Sequence, residues 1–330
     1  MRAIHYDRQG AAHDVLELGD LPSPVAGAGE VLVRVHRSGV NPSDVKNRTG
    51  FVSKMTFDRV IPHQDGAGVV EAVGAGVSPG RIGERVWIYE AQLGRAGGTA
   101  AEYVTVPSGN AVPLPDDVSF DVGASLGVPA MTAHRCLFAD GDLKGRRVMV
   151  HGGAGAVGSA AVQLAKWAGA WVVATIRRPD QVEVARRAGA DLVLNLRNGD
   201  VAASVEAATD GAGVDRVVDV DVVSNATLDL ACLANGAVIS AYSADDPAAA
   251  VPVPVVPFMI VNAAVRFVYV YTMPESAKRA AIEDITACLR ADAYHPEIGL
   301  VLPLDRTADA HVAVEAGAVR GKVLVRVTES

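Results

Sequence analysis

Cysteine is nearly absent from this chain: three residues in 330, Cys136, Cys232 and Cys288, far apart and never in a CxxC or Cys/His cluster. That excludes a disulfide framework and a thiolate metal site of ordinary ligand spacing, and it suits a reducing compartment. Charged residues make up only 21%, no block of Lys and Arg occurs, and the formal charge is −8, which argues against a general nucleic-acid binder. Long apolar runs are missing too. The greasiest stretch, Ala248 to Tyr271, is cut by Pro252, Pro254, Pro257, Asn262 and Arg266, short of the roughly 20 uninterrupted apolar residues of a membrane helix. The N-terminus, MRAIHYDRQG, has neither the apolar core of a signal peptide nor an Arg/Ser-rich transit pattern. A soluble, cytoplasmic protein that binds neither nucleic acid nor membrane is expected.

At 330 residues, half of them hydrophobic, the chain is about twice a typical domain of roughly 150 residues. The first 120 or so are rich in Val, Gly and Pro, with short β-branched runs at Val31–Val35, Gly68–Val73 and Arg85–Tyr89. From about residue 122 apolar runs alternate with Ala-rich helical stretches, the pattern of βαβ units around a parallel sheet. The candidate strands are Arg147–His151, Trp171–Ile176, Leu192–Leu196, Arg216–Val220, Ala237–Ala241 and Val265–Tyr271. A helix from about Pro274 to Ala291 follows, then a β segment, clearest at Lys322–Val327, too short to be a domain and expected to rejoin the first. The expected organisation is a mostly β domain at 1–122 and 292–330 around an α/β, doubly wound Rossmann domain at 123–291.

The strongest local signal is His151-Gly152-Gly153-Ala154-Gly155-Ala156-Val157-Gly158, between a strand and a helix expected at Ser159–Ala168. Gly153-x-Gly155-x-x-Gly158 supplies a glycine to reverse the chain, one to admit a pyrophosphate and one for close helix packing. Gly152, Gly153, Gly155, Ala156, Val157 and Gly158 are therefore the candidate phosphate cradle. After the second strand an NAD enzyme usually places Asp or Glu, whereas this chain reads Ile176-Arg177-Arg178. Two guanidinium groups suit the 2′-phosphate of NADPH; the alternative is that they solvate a loop before Pro179.

Two catalytic arrangements are missing. No tyrosine is followed by Lys at i+4, and Trp87–Tyr103 contains no cysteine for a structural zinc lobe. The residues resemble the zinc-free, zeta-crystallin-like quinone oxidoreductases of the medium-chain dehydrogenase/reductase superfamily. The matches begin with Val40-Asn41-Pro42-Ser43-Asp44 and Arg48-Thr49-Gly50, then Asp65-Gly66-Ala67-Gly68-Val69-Val70-Glu71-Ala72-Val73-Gly74 and Gly83-Glu84-Arg85-Val86. They continue through Ala101-Glu102-Tyr103-Val104, Thr132-Ala133, the glycine turn with Ala161-Val162-Gln163-Leu164-Ala165-Lys166, and Ala188-Gly189-Ala190-Asp191.

The resemblance implies a GroES-like β domain beside the Rossmann domain, with the active-site cleft between them. It also implies NADPH as cofactor, a homodimer paired along the sixth strand, and hydride transfer to a quinone or related conjugated carbonyl. Zinc-dependent relatives place Cys near Asn41 and His near Gln64; neither ligand is present, so no metal is expected, and His63 reads as a cleft or loop histidine. Asn41 and Thr132 are expected to border nicotinamide and acceptor. Asp44, Lys46 and Arg48 either line the cleft mouth, with Lys46 as proton donor or anion binder, or sit in a solvated turn. Asn195 and Tyr242 are further cofactor candidates.

Several positions depart from the family. Lys46 stands where an aromatic is common, Gln181 where a lysine meets the 2′-phosphate, and Leu196 where a tyrosine packs on the adenosine side. Asp219-Val220-Asp221-Val222 replaces an Asp-x-Val-Gly pattern, and Ala241-Tyr242-Ser243 stands where Gly is usual. Two other activities fit: a double-bond reductase of alkenals or enoyl thioesters, with Lys46 or Tyr242 delivering a proton through water, and a catalytically silent NADPH-binding sensor. Gly123-Ala124-Ser125-Leu126-Gly127 matches a hydrolase GxSxG turn, but Phe120–Leu126 reads as the start of a helix leading to Thr132, the wrong context. His134 and His151 read as packed residues, His151 with a possible contact to cofactor or water.

Overall fold

The computed structural model describes residues 1–51, 54–251 and 253–328; Pro252, one of the prolines noted above, lies outside them. The chain divides into two units, Met1–Val128 with Ile298–Ser330, and Pro129–Glu297.

The first unit grows from short Val-rich segments: β1 (Arg2–His5), β2 (Glu17–Asp20), β3 (Glu30–Val40), β4 (Asp65–Val73), β5 (Arg85–Ile88), β6 (Tyr103–Pro107) and β7 (Ala111–Pro113). Side chains alternate across a strand, so Val31, Val33 and Val35 of β3 share one buried face and pack with Val70, Val86 and Val104.

In the second unit strands alternate with helices: β8 (Arg147–Val150), β9 (Trp171–Ile176), β10 (Leu192–Asn195), β11 (Val214–Asp219), β12 (Leu233–Ala241) and β13 (Ala264–Phe267). They form one parallel sheet in the order β10-β9-β8-β11-β12-β13. Val148, Met149, Val150, Val172, Val173 and Val217 are fully buried, as strands covered on both faces require. The order reverses at β8: the chain runs outward through β9 and β10, then returns to lay β11 on the other side of β8. Such a switch point opens a crevice at the carboxyl ends of the strands.

The last strands, β14 (Ile298–Pro303) and β15 (Lys322–Arg326), return to the first unit. There they complete the sheet β14-β15-β3-β4-β5-β7, with β6 paired to β3.

Some elements differ from their sequence expectation. The sixth strand stops at Phe267 rather than Tyr271, because after Val268 N–H donates to Ala241 O (2.8 Å) the chain enters a 3-10 turn at Val270–Thr272. The helix after the glycine turn starts at Ala156 rather than Ser159, as soon as Gly155 N–H closes on Gly152 O (2.9 Å). Nor does one helix lead from Phe120 to Thr132. Phe120–Gly123 is a single turn, Leu126–Ala130 is a wide π turn around Pro129, and Met131–Phe138 is the helix proper. A proline without an N–H interrupts the regular ladder. Ser125 of the GxSxG match is 2% exposed and donates to Asp121 O at 2.6 Å, so it is a capped core residue and no nucleophile.

No helix among the described residues is long and apolar enough to cross a membrane. β13 forms one edge of its sheet, and around it Val255, Val256, Met259, Ile260, Phe267 and Tyr269 are exposed, Ile260 by 73% and Phe267 by 72%.

Candidate functional site

In the second unit the glycine turn sits where β8 meets its helix. Gly152 has φ +68°, a left-handed conformation that L side chains rarely adopt. A Cβ at Gly158 would collide with the Gly152 carbonyl, and one at Gly153 would press on Ala174 of β9 at 2.7 Å. The helix Ala156–Trp167 begins at Gly155 with no side-chain cap, and its first bond joins Ser159 N–H to Gly155 O at 2.8 Å. The amides of Ala156, Val157 and Gly158 precede that bond and remain available to a ligand. Open amides at the positive end of a helix fit the pyrophosphate of a dinucleotide.

Around the turn the other candidates have definite partners. Arg177 reaches from its Nη2 to Asp221 Oδ2 (3.3 Å), and Arg178 from its Nε to Asp180 Oδ1 (3.2 Å). Gln181 accepts from the N–H of both arginines at 3.0 Å, so it shapes their loop. Asn195 turns its Oδ1 onto Arg197 N–H (3.0 Å). Tyr242 donates its N–H to Asp219 O (3.1 Å), and burial pushes its phenol up.

His151 does not reach solvent or the crevice. It is fully buried, with Nδ1 on Thr175 Oγ1 and Nε2 on Asp229 Oδ1, each at 2.8 Å. Asp219 lies beside them and accepts from Asn225 Nδ2 and Asp221 N–H at 2.8 Å. Donor atoms of His151, Asp219 and Asp229 fall within 4.8 Å of one another, but both imidazole nitrogens are already engaged. Burial pushes the Asp229 carboxyl up to about 6. The cluster ties β8, β9, β11 and the helix Val222–Cys232 together behind the turn.

The first unit holds Asn41 in a buried ionic cluster. Its Nδ2 donates to Asp65 Oδ2 (2.8 Å), while Lys322 Nζ donates to Asn41 Oδ1 (2.6 Å) and Asp65 Oδ2 (2.9 Å). Asp65 Oδ1 accepts from Val128 N–H at 2.9 Å. A second network has its directions fixed by an oxygen that can only accept: Thr99 Oγ1 donates to the Asp65 carbonyl (2.5 Å). Ser38 therefore donates to Thr99 (2.7 Å) and accepts from His63 Nδ1–H (2.7 Å), which leaves His63 Nε2 to accept from His311 Nε2–H (2.9 Å). Burial drives both imidazoles down, His63 well below the usual range and His311 to about 3.

Asp44 and Arg48 neither line a cleft mouth nor sit in a solvated turn: they are 2% and 0% exposed. Arg48 donates to Gly10 O (2.5 Å) and pairs with Glu315. Asp44 accepts Asn41 N–H (2.8 Å) in a capping box for the helix Pro42–Thr49, and burial, with Asp65 nearby, pushes its carboxyl up to about 7. Lys46 is half-buried, its ammonium 4.8 Å over the Phe51 ring. In the second unit Thr132 is 5% exposed on the helix Met131–Phe138, where His134 bonds Asp284 at 2.8 Å.

Sequence reasoning missed Lys322, Ser38, Thr99 and His311 as site-building residues. Lys322 alone carried a signal, a lysine opening the apolar strand Lys-Val-Leu-Val-Arg.

Comparison with known proteins agrees with both units. Residues 27–116 match the alcohol dehydrogenase GroES-like domain and residues 156–287 the zinc-binding dehydrogenase family. A quinone oxidoreductase of Rattus norvegicus is 32% identical over 238 residues, 72% of this chain and 71% of the relative. An NAD-dependent alcohol dehydrogenase structure aligns at TM-score 0.87 and 29% identity over 99% of this chain and 100% of the other. A quinone oxidoreductase from Thermus thermophilus, solved also in complex with NADPH, aligns at 0.84 and 29% identity with the same coverage.

The zinc in that family description does not suit these residues. Asn41 meets the Lys322 ammonium, and the Gln64 amide is paired with Gln92, accepting its N–H at 3.1 Å. Neither position offers a thiolate or imidazole, and a fixed cationic ammonium already faces Asn41.

Proposed function

The chain belongs to the quinone oxidoreductase family, and on that premise we propose that it passes a hydride from NADPH to a quinone or related conjugated carbonyl without a metal. The observation that carries this reading is the uncapped glycine turn, whose open amides suit a dinucleotide pyrophosphate. Bound reduced nicotinamide supplies the hydride; the protein binds, orients and excludes water. One structural neighbour is called NAD-dependent and another was solved with NADPH, so cofactor choice rests on this chain's own residues. Ile176-Arg177-Arg178 offers no acid for the ribose hydroxyls and two guanidinium groups for a 2′-phosphate.

A quinone needs little electrophilic help, because its reduced oxygen is a stabilised phenolate and proximity lowers the barrier. The buried Asp65–Lys322 pair holds the Asn41 amide in one orientation, in which Asn41 would border the nicotinamide and acceptor. Lys46 is the candidate proton donor or anion binder, and Thr132 a candidate contact to the nicotinamide. The unit of residues 1–128 and 298–330, expected from sequence at 1–122 and 292–330, would form the catalytic domain, and that of 129–297, expected at 123–291, the NADP-binding domain. The apolar surface around β13 supports a homodimer, since an uncovered apolar edge is an aggregation liability. The cysteines, all free and buried, and the acidic charge support a cytoplasmic protein without nucleic-acid partners.

Turnover tests the reading. With NADPH or NADH and, in turn, a small quinone, an enone and an aldehyde, we expect NADPH-selective quinone reduction that a chelator leaves unchanged. Reduction of the enone alone would make the protein a double-bond reductase. Tight NADPH binding with no turnover would make it a silent sensor.

A further inference from the structure

We propose that the Arg177–Asp221 ion pair is a latch across the dinucleotide crevice, which an entering cofactor must open. The inference rests on the NADPH reading above and adds a residue to it. β9 and β11 flank β8 on opposite sides, so their carboxyl ends stand about 10 Å apart, two strand spacings. Arg177 follows β9 directly and Asp221 comes two residues after β11. Their contact, Nη2 to Oδ2 at 3.3 Å, therefore spans the carboxyl end of β8, over the glycine turn. Dinucleotides bind in that crevice.

The two partners differ in freedom. Asp221 is fixed on three sides: its N–H donates to the buried Asp219 (2.8 Å), its Oδ1 accepts Ser224 N–H (3.4 Å), and its carbonyl accepts Asn225 N–H (3.0 Å) at the start of the helix Val222–Cys232. Arg177 is the arm, its side chain 53% exposed against 31% for Asp221. A guanidinium released from Asp221 is free to take a 2′-phosphate, which carries more charge and more acceptor oxygens than a carboxylate. NADPH thus replaces the contact it breaks. NADH breaks the same contact and returns only ribose hydroxyls, so it reports the latch without the phosphate.

Asp221→Asn removes the charge yet keeps a good helix cap. Dissociation constants for NADH and NADPH, measured by titration on wild type, Asp221→Asn, Arg177→Ala and the double variant, decide the matter. An exposed ion pair limits the effect, so Asp221→Asn is expected to tighten NADH about two- to fivefold. In the Arg177→Ala background the same change should leave NADH affinity as it was. Equal tightening in both backgrounds would mean plain repulsion between Asp221 and the cofactor, and no tightening in either would mean the pair does not obstruct entry; each overturns the latch while NADPH binding stands. A wild-type chain that binds neither dinucleotide would overturn the cofactor reading and the latch together.

Discussion

The buried cluster around Asn41 and the glycine turn before Ala156 handle polar groups in opposite ways. In the first, the Asn41 amide ends on Asp65 and Lys322, and a chain of hydroxyls and imidazoles ends on the Asp65 carbonyl. In the second, three amides precede the first helical bond and no side chain caps them. Buried groups that satisfy one another hold the fold and orient a residue; donors left open hold a ligand. On the proposed function, the contrast would separate Asn41, oriented for chemistry, from the turn that binds the cofactor.

Breaking the closed cluster should have the largest effect. Lys322→Met leaves Asp65 as an uncompensated buried charge, and we expect a loss of about 3–5 kcal/mol in chemical denaturation. A loss within error of zero would mean that the cluster is not held by the ion pair.

Acid should open the second network. The fold holds His63 and His311 neutral, so below about pH 6.5 the unfolded chain takes up protons that the folded one refuses. Stability then falls as the pH drops toward about 3, by up to about 5 kcal/mol for His311. Asp44 has the opposite sign. Its carboxyl, pushed up to about 7, keeps a proton that the unfolded chain has lost, so its contribution is full below about pH 4 and fades as pH rises through 7. Melting temperatures against pH should show a shallower acid limb in His311→Asn; an unchanged limb would place the acid sensitivity elsewhere.

At the open site the effects are smaller and concern binding. Replacing Arg177 and Arg178 together by Ala should weaken NADPH about tenfold to a hundredfold and leave NADH no weaker; equal weakening of the two would remove the arginines from cofactor choice. Smallest in its effect on the protomer is Phe267→Asp, which should shift a dimer toward monomer in light scattering while leaving the melting temperature close to wild type. A dimer that persists would put the interface away from β13.

The two regions also differ in how far they can be read from sequence. The turn is legible because its glycines fall within seven consecutive residues, Gly152 to Gly158, and glycine spacing is local chemistry. The Asn41 cluster is not, because Lys322 lies 257 and 281 positions from its two partners. The same distance effect hid Arg48: its charge suggested an exposed loop, whereas its carboxylate partner, Glu315, is 267 positions away. Strands were legible from Val-rich runs, but their ends were not. β13 stops where Val268 leaves its last bond to β12, and the π turn around Pro129 depends on its surroundings rather than on propensity.

The most direct test is titration of NADPH into the wild-type chain and Gly158→Ala, whose added methyl would collide with the Gly152 carbonyl and close the turn. We expect wild type to bind NADPH and the variant to lose more than about tenfold in affinity, equivalent to about 1.4 kcal/mol, while still melting cooperatively. Unchanged NADPH affinity in Gly158→Ala would show that the open amides are not where the cofactor binds.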